Sequence, residues 1–596
     1  RSFVRLAAET NHSFRTGMNA ELKPRTLGFP LARARAFRLT VDLGAVAARG
    51  FVVEGAEPGT FPRVPAKAVL MRNGQLMPSA SMPPLEPSAA AVDKARIVDL
   101  TAKMGADGTL DWEVPSGAWT VLRIGCTSNG QTCSPASDKG RGLEVDRLSA
   151  ASLRRFFDAH VGKLAALCGI DPKSDPERRV GLVGALVDSY EKGGQSWTPG
   201  LEREFLRRAG YDIRPYLPAF AGFLVGSADE TERFFADFRR VLSEVFIENY
   251  PDAYAALCHA RGLSFAQECY GNFPADNPRW SWNVDRPMGE FWCHNDDIAP
   301  HRQVAGKGIT PRSDKPDSAR FFAPLASVVH QRGLRYFAAE AFTSFPADGR
   351  WQQDPWSFKQ PGDAAFCGGV NRLCLQSWVH QPWTNPPRMP GVTLGAFGAH
   401  FGRNEPWWPF AKPWIAYLTR CQHLLQQGRF VPDLLVASGE EKSVPEGYKF
   451  DVYSPATAPY LTVRDGRVVA PSGLSYPAVV ASAPPSAWVR AGVKVVTPAQ
   501  LAAGTLPRAF VSDRPVNWTR FTLKDGTMGY FVAWPGGDAA DVTCTFAVAG
   551  RVAELWNAET GESIAVNGQL LPGNYTLSGA VSIPSVTRYT PKRSRQ

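Results

Sequence analysis

The stretch VGLVGALVDSYE, Val180 to Glu191, is an unbroken apolar run that stops at two carboxylates three residues apart, Asp188 and Glu191. Apolar residues on both faces of Val180 to Val187 predict a central parallel strand covered on each side, not a half-exposed antiparallel one. A parallel strand implies βα units, and in barrels of such units the working residues sit where strands give way to loops. Asp188 and Glu191 therefore fall where chemistry is expected, although acids capping a following helix would stand there as well.

Two further stretches repeat the arrangement of a helix ending in Gly, a short apolar strand and a glutamate. They are HARGLSFAQE, His259 to Glu268, and HQRGLRYFAAE, His330 to Glu340. Gly262 and Gly333 supply the left-handed residue that closes each helix. A fourth stretch, GVNRLCLQSWVHQPW, ends in His380 and Trp383 instead of an acid. Strand ends of a closed parallel barrel share one rim, so Glu191, Glu268 and Glu340 are expected to converge. Glycoside hydrolysis uses such a convergence, with one carboxyl held protonated for the leaving oxygen and another ionised. Raised pKa is expected for Glu191, from burial and from Asp188 beside it.

Most of the seventeen tryptophans fall between positions 197 and 414, in proline-rich sequence. Simple loop packing accounts for many of them, but a flat aromatic face also suits the CH side of a sugar. Trp292, Trp378 and Trp383, with Glu268 and His380, are read as substrate-binding. The loop GEFWCHNDD, Gly289 to Asp297, adds Glu290, His294, Asp296 and Asp297. Oxygen ligands clustered in this way suit calcium, with Glu290 as the named metal ligand, although the EF-hand spacing is absent.

A chain of 596 residues with 44% hydrophobic content is expected to fold as three or four domains. The formal charge of +10 is scattered, without a basic stripe, which argues against a nucleic-acid partner. No apolar run reaches eighteen residues, so no membrane span is expected. No CxxC pair occurs among the ten cysteines, and only Cys126 and Cys133 invite a disulfide. The chain opens on Arg with no visible signal peptide; a periplasmic or secreted location is expected over a cytoplasmic one.

Alternating, turn-punctuated sequence predicts a β-sandwich over 1–130, with Trp112 and Trp119 in its core. A (β/α) barrel is expected over 131–430, with Asp237 a buried structural acid on a helix starting near Glu230. A small flavodoxin-like α/β domain over 431–510, its Glu440 and Glu441 on the surface, precedes a C-terminal β-sandwich over 511–596.

Seven motifs resemble one family in order and spacing: WEVPSGAWTVLRIGCT, GRGLEVDRLS, VDSYEKGGQSWTPGLEREFLRRAGYD, FFADFRRVLSEVFIENY, FAAEAF, GVNRLCLQSWVHQPW and GAHFGRNEPWWPFAKPW. They look like the α-L-rhamnosidases of glycoside hydrolase family 106. The resemblance implies a calcium-dependent, inverting enzyme that releases terminal α-L-rhamnose from glycosides or oligosaccharides. It implies Glu191 as general acid and Glu340 as general base, with Asp188 and Glu290 beside them. Inversion would set the two carboxyls roughly 6.5 to 9.5 Å apart. Family members open with a Trp-rich segment forming the first barrel strands, which this sequence lacks, so an (β/α)8-type barrel without those strands is expected. The alternatives are a carbohydrate-binding protein without catalysis and a retaining glycosidase of β-galactosidase type.

Overall fold

A computed structural model describes residues 70–72, 75–77, 574–580 and 585–591, and residues 91–566 except 129, 134–135, 192–194, 222, 271–272, 274, 294–317, 345–350, 352, 388, 390, 392–398, 536–540 and 549–550. The chain divides into two compact units, one of residues 1–152, 191–248 and 272–275 and one of residues 153–190, 249–271 and 276–596.

In the first unit, β1 (Leu70–Arg72) pairs antiparallel with β2 (Gln75–Met77). The rest of the expected N-terminal sandwich up to residue 90 lies outside the described residues. Between 91 and 130 the structure has two 3₁₀ turns, Lys94–Arg96 and Thr101–Lys103, and an isolated bridge from Met104 to Leu110 where strands were expected. Alternation supplies a strand with a face, but a strand also needs a ladder partner. Trp119 is 39% exposed and meets Trp112 edge-on at 5.2 Å, so this pair is not the buried core the sequence suggested. Cys126 and Cys133 are both free.

The helix Ala228–Ile247 starts where Ser227 accepts a hydrogen bond from the Glu230 amide at 3.0 Å, a cap worth about 1 kcal/mol. Its apolar stripe buries Phe234, Phe235, Phe238, Val241, Leu242, Val245 and Phe246. Phe205, Tyr216 and Phe220 pack on that stripe. The expected acid Asp237 lies on the opposite side, partly exposed, paired with Arg240 at 3.0 Å and accepting from Tyr211. It is a surface ion pair, because its flanking apolar residues belong to other faces of a 3.6-residue turn.

The second unit is built on a five-stranded parallel sheet. Its strands, β3 (Gly184–Val187), β4 (Ser264–Glu268), β5 (Arg286–Cys293), β6 (Ala338–Ser344) and β7 (Arg372–Leu375), are ordered as in sequence. This is half a barrel among the described residues, so the expected eight-stranded closure is not found there. The stretch expected to be a central strand is an edge: Val180 is 99% exposed and Leu186 57% exposed. An unbroken apolar run reports which residues can be buried, not which neighbours they receive. Gly184 is required where β3 meets β4, since a Cβ there would stand 2.4 Å from Ser264 Oγ and 2.5 Å from its carbonyl oxygen.

Helices cover one face. Phe265 stacks on Tyr254 of the helix Ala253–His259 at 4.9 Å, and Phe291 and Phe337 meet Phe322 of the helix Ser318–Arg332. Each fully buried Phe contributes roughly 1.5–3 kcal/mol. Gly262 and Gly333, at φ 66° and 69°, close the helices before β4 and β6 as the sequence predicts. The helix Pro355–Cys367 opens on a capping box, Asp354 accepting from the Ser357 amide and Ser357 from the Asp354 amide.

Downstream, Phe450–Tyr453, Leu434–Ala437 and Val479–Val480 form a small parallel sheet in that order. Glu440 is near the surface and accepts from the amide of Ser482. A three-stranded and a six-stranded antiparallel sheet follow. They share a core of Phe510, Trp518, Tyr530, Val542, Phe546 and Ala553.

Candidate active site

Because Phe265, Phe291 and Phe337 turn toward the helices, alternation sends Glu268, Glu290 and Glu340 to the opposite, open face of the sheet. Register sets their order: Val187 pairs with Gln267, Glu268 with Met288, two residues before Glu290, and Glu290 with Glu340, which in turn pairs with Cys374. Asp188 follows directly after β3. Oxygens of Asp188, Glu268 and Glu340 lie within 4.8 Å of one another, which gathers residues of three strands far apart in sequence.

Their environments differ. Asp188 is exposed, Glu340 half-buried and Glu268 only 1% exposed. Burial first, then the hydrogen bond and charge of Asp188 and the charge of Glu340, push the Glu268 carboxyl far above the usual range, against the opposing hydrogen bond from Tyr270. That Tyr270 hydroxyl donates to Glu268 at 2.7 Å, and Thr343 donates to Glu340 at 3.1 Å. Glu290, one rung along, is pushed up to about 7 by burial and the charge of Glu340, despite hydrogen bonds from Trp292, Tyr270 and Thr343. The largest influences on Glu268 and Glu290 include no Lys or Arg.

The spacing of the three acids also fits a hard cation. Oxygens that each stand 2.3–2.6 Å from one ion are at most about 5 Å apart. Asp188, Glu268 and Glu340 are spaced as such a site needs, and Glu290, the ligand expected from sequence, stands one rung along in register with Glu340.

The remaining expected residues are distributed as follows. Glu191 is exposed and is the first residue of the segment 191–248 of the other compact unit. Trp292 is half-buried in β5 and hydrogen-bonds Glu290, a role that suits the site. Trp378 is 75% exposed and edge-on to Trp408, and His380 is exposed and edge-on to Trp383. His294, Asp296 and Asp297 lie outside the described residues. Sequence reasoning missed Tyr270 and Thr343: Tyr270 lies two residues past the end of β4, and Thr343 lies inside β6 directly after Phe342 at φ 67°, and neither spacing is legible without the chain's local path.

The sequence profile of glycoside hydrolase family 106, described as alpha-L-rhamnosidase, matches residues 67–489. Over 417 residues the chain is 34% identical to a protein of Formosa agariphila named "Putative beta-glucuronidase", an alignment covering 68% of this chain and 32% of that one. The solved structure of a rhamnosidase from Novosphingobium sp. PP1Y superposes with a TM-score of 0.69 at 25% identity, over 85% of this chain and 54% of that one. The chain thus spans about a third and about half of these two relatives.

Proposed function

Because the chain belongs to glycoside hydrolase family 106, the α-L-rhamnosidase family, we propose that it hydrolyses terminal α-L-rhamnosides with inversion at the anomeric carbon. The observation that carries this reading is the meeting of Asp188, Glu268 and Glu340 from three strands of the parallel sheet. Within 4.8 Å these three are too close to flank a glycosidic bond and an attacking water, which need roughly 6.5–9.5 Å between acid and base. One of them, Glu340, acts as base and takes a proton from water, and the acid comes from outside the trio. We assign that acid role to Glu191, as the family motif implies. Asp188, Glu268 and Glu340 would hold Ca²⁺, which would supply charge neutralisation of the cluster and a site for sugar hydroxyls. Glu268, the most buried of the three, fixes the geometry through Tyr270.

A neutral deoxysugar suits this site better than a uronide. The glucuronate carboxylate would add a further negative charge beside carboxylates that already repel one another, and such a like-charge contact is unfavourable. A specific observation favours a second assignment of the acid: burial and the charge of Glu340 push the Glu290 carboxyl up to about 7, the direction a general acid needs.

One experiment tests both points. Wild type, Glu191→Ala and Glu290→Gln are assayed on aryl α-L-rhamnosides with good and poor leaving groups and on an aryl β-D-glucuronide. Wild type should prefer the rhamnosides. Glu191→Ala should lose about 10²–10⁴-fold on the poor leaving group and far less on the activated one. Equal loss on both, with selective loss in Glu290→Gln, would move the acid role to Glu290. Faster cleavage of the glucuronide would reject the rhamnoside reading.

A further inference from the structure

The parallel ladder continues one step past β7. The Gln376 amide donates to the Ala341 carbonyl at 3.0 Å, extending the β6–β7 pairing beyond Glu340. The Ser377 amide then donates to Ala399, and the Phe401 amide to Ser377, which brackets His400 directly beside Ser377. Phe401 packs into the helical layer, 5.5 Å from Phe358 and stacked on Trp414 at 5.8 Å. Its neighbour His400 therefore points the other way, to the face that carries the carboxylates.

His400 is only 8% exposed, and neither ring nitrogen has a hydrogen-bond partner. Its ring lies flat on Trp351 at 4.3 Å and 10°, and Trp351 is held at φ 62°, a conformation that bulky residues rarely adopt. The Ser377 hydroxyl and the Gln376 side-chain carbonyl are likewise buried without a partner. Burial pushes the His400 pKa down, so the imidazole is neutral and offers one N–H donor and one acceptor. Buried polar atoms left unmatched are costly, and four from three neighbouring residues of one ladder mark a place built for a polar ligand.

We propose that His400, backed by Trp351 and flanked by Ser377 and Gln376, is a specificity-determining residue that hydrogen-bonds a hydroxyl of the neutral sugar bound at the carboxylates. This deepens the rhamnosidase reading and rests on it for the identity of the sugar. Sites built to bond a hydroxyl reject analogues that lack it far more strongly than apolar pockets reject an extra group.

The test is calorimetric binding of L-rhamnose and its 2-, 3- and 4-deoxy analogues to wild type, His400→Ala and His400→Gln, each checked for wild-type thermal unfolding. Wild type should bind one deoxy analogue about 10²-fold more weakly than L-rhamnose. In His400→Ala the parent sugar should drop to that level and the same analogue lose nothing further, while His400→Gln, which keeps a donor and an acceptor, should recover part of the loss. An equal loss in His400→Ala for every member of the series, or no loss, overturns the proposal. If His400→Ala fails to fold, the His400→Gln and Ser377→Ala proteins carry the same comparison. Because binding is read, a wild type that binds L-rhamnose yet cleaves no rhamnoside refutes the proposed function and leaves this contact to stand or fall by the series.

Discussion

Glu340→Gln should lower kcat on an aryl α-L-rhamnoside by about 10³-fold or more while leaving the fold intact. An amide cannot accept the proton of an attacking water, and loss of general base catalysis typically costs 10²–10⁴-fold. Glu340 is half-buried, pairs in register with Glu290 and accepts a hydrogen bond from Thr343, contacts that glutamine can largely retain. The measurement is steady-state kinetics of wild type and variant with matched unfolding temperatures. Turnover within tenfold of wild type would remove Glu340 from the base role.

Exhaustive chelation should abolish activity, and Ca²⁺ but not Mg²⁺ should restore it. Three carboxylates within 4.8 Å, with no Lys or Arg among the largest influences on the buried one, repel each other when ionised. Ca²⁺ tolerates an irregular set of six to eight oxygens at 2.3–2.6 Å, whereas Mg²⁺ demands near-octahedral geometry at about 2.0–2.1 Å. The same repulsion sets a pH dependence of stability. With its pKa raised in the folded state, Glu268 binds more protons there than in the unfolded chain at any pH above the ordinary carboxylate range. Its contribution is full below the unfolded value and is lost as pH rises through the folded value. The chelated protein should therefore unfold at a lower temperature at pH 8 than at pH 5.5, and both Ca²⁺ and Glu268→Gln should flatten that decline. Unchanged rates after verified metal removal, or a pH slope that Glu268→Gln leaves untouched, would discard the ion.

What the sequence shows and what it hides follow from the range of the interactions involved. Asp188 and Glu268 were legible because each stands where an apolar strand ends, and ends of parallel strands share a rim whatever their separation in the chain. Glu340 was read the same way but lies inside β6, which runs on to Ser344, and the cluster holds Asp188 where Glu191 was expected. The two glycines before β4 and β6 were legible because left-handed closure is a local need. Neighbour relations were not: the apolar run before Asp188 reads as a central strand and proves an edge, with Leu186 exposed. Trp378 and His380 carry the residue types of a sugar platform and are exposed on their loop, an orientation the sequence does not set. His400 shows the converse. It sits in GAHFGRN without any local signature, and only the bracketing hydrogen bonds to Ser377 and the helix-side packing of Phe401 reveal which way it faces. Ion pairing hid Asp237, whose partners Arg240 and Tyr211 make it a surface acid.

The most direct test of a rhamnosidase that works through separated acid and base carboxylates is proton NMR of the sugar first released from 4-nitrophenyl α-L-rhamnoside, recorded before mutarotation. The account predicts that β-L-rhamnose appears first and the α anomer grows in later. First appearance of α-L-rhamnose, the signature of a closely spaced retaining pair, would contradict it, as would the release of no rhamnose at all.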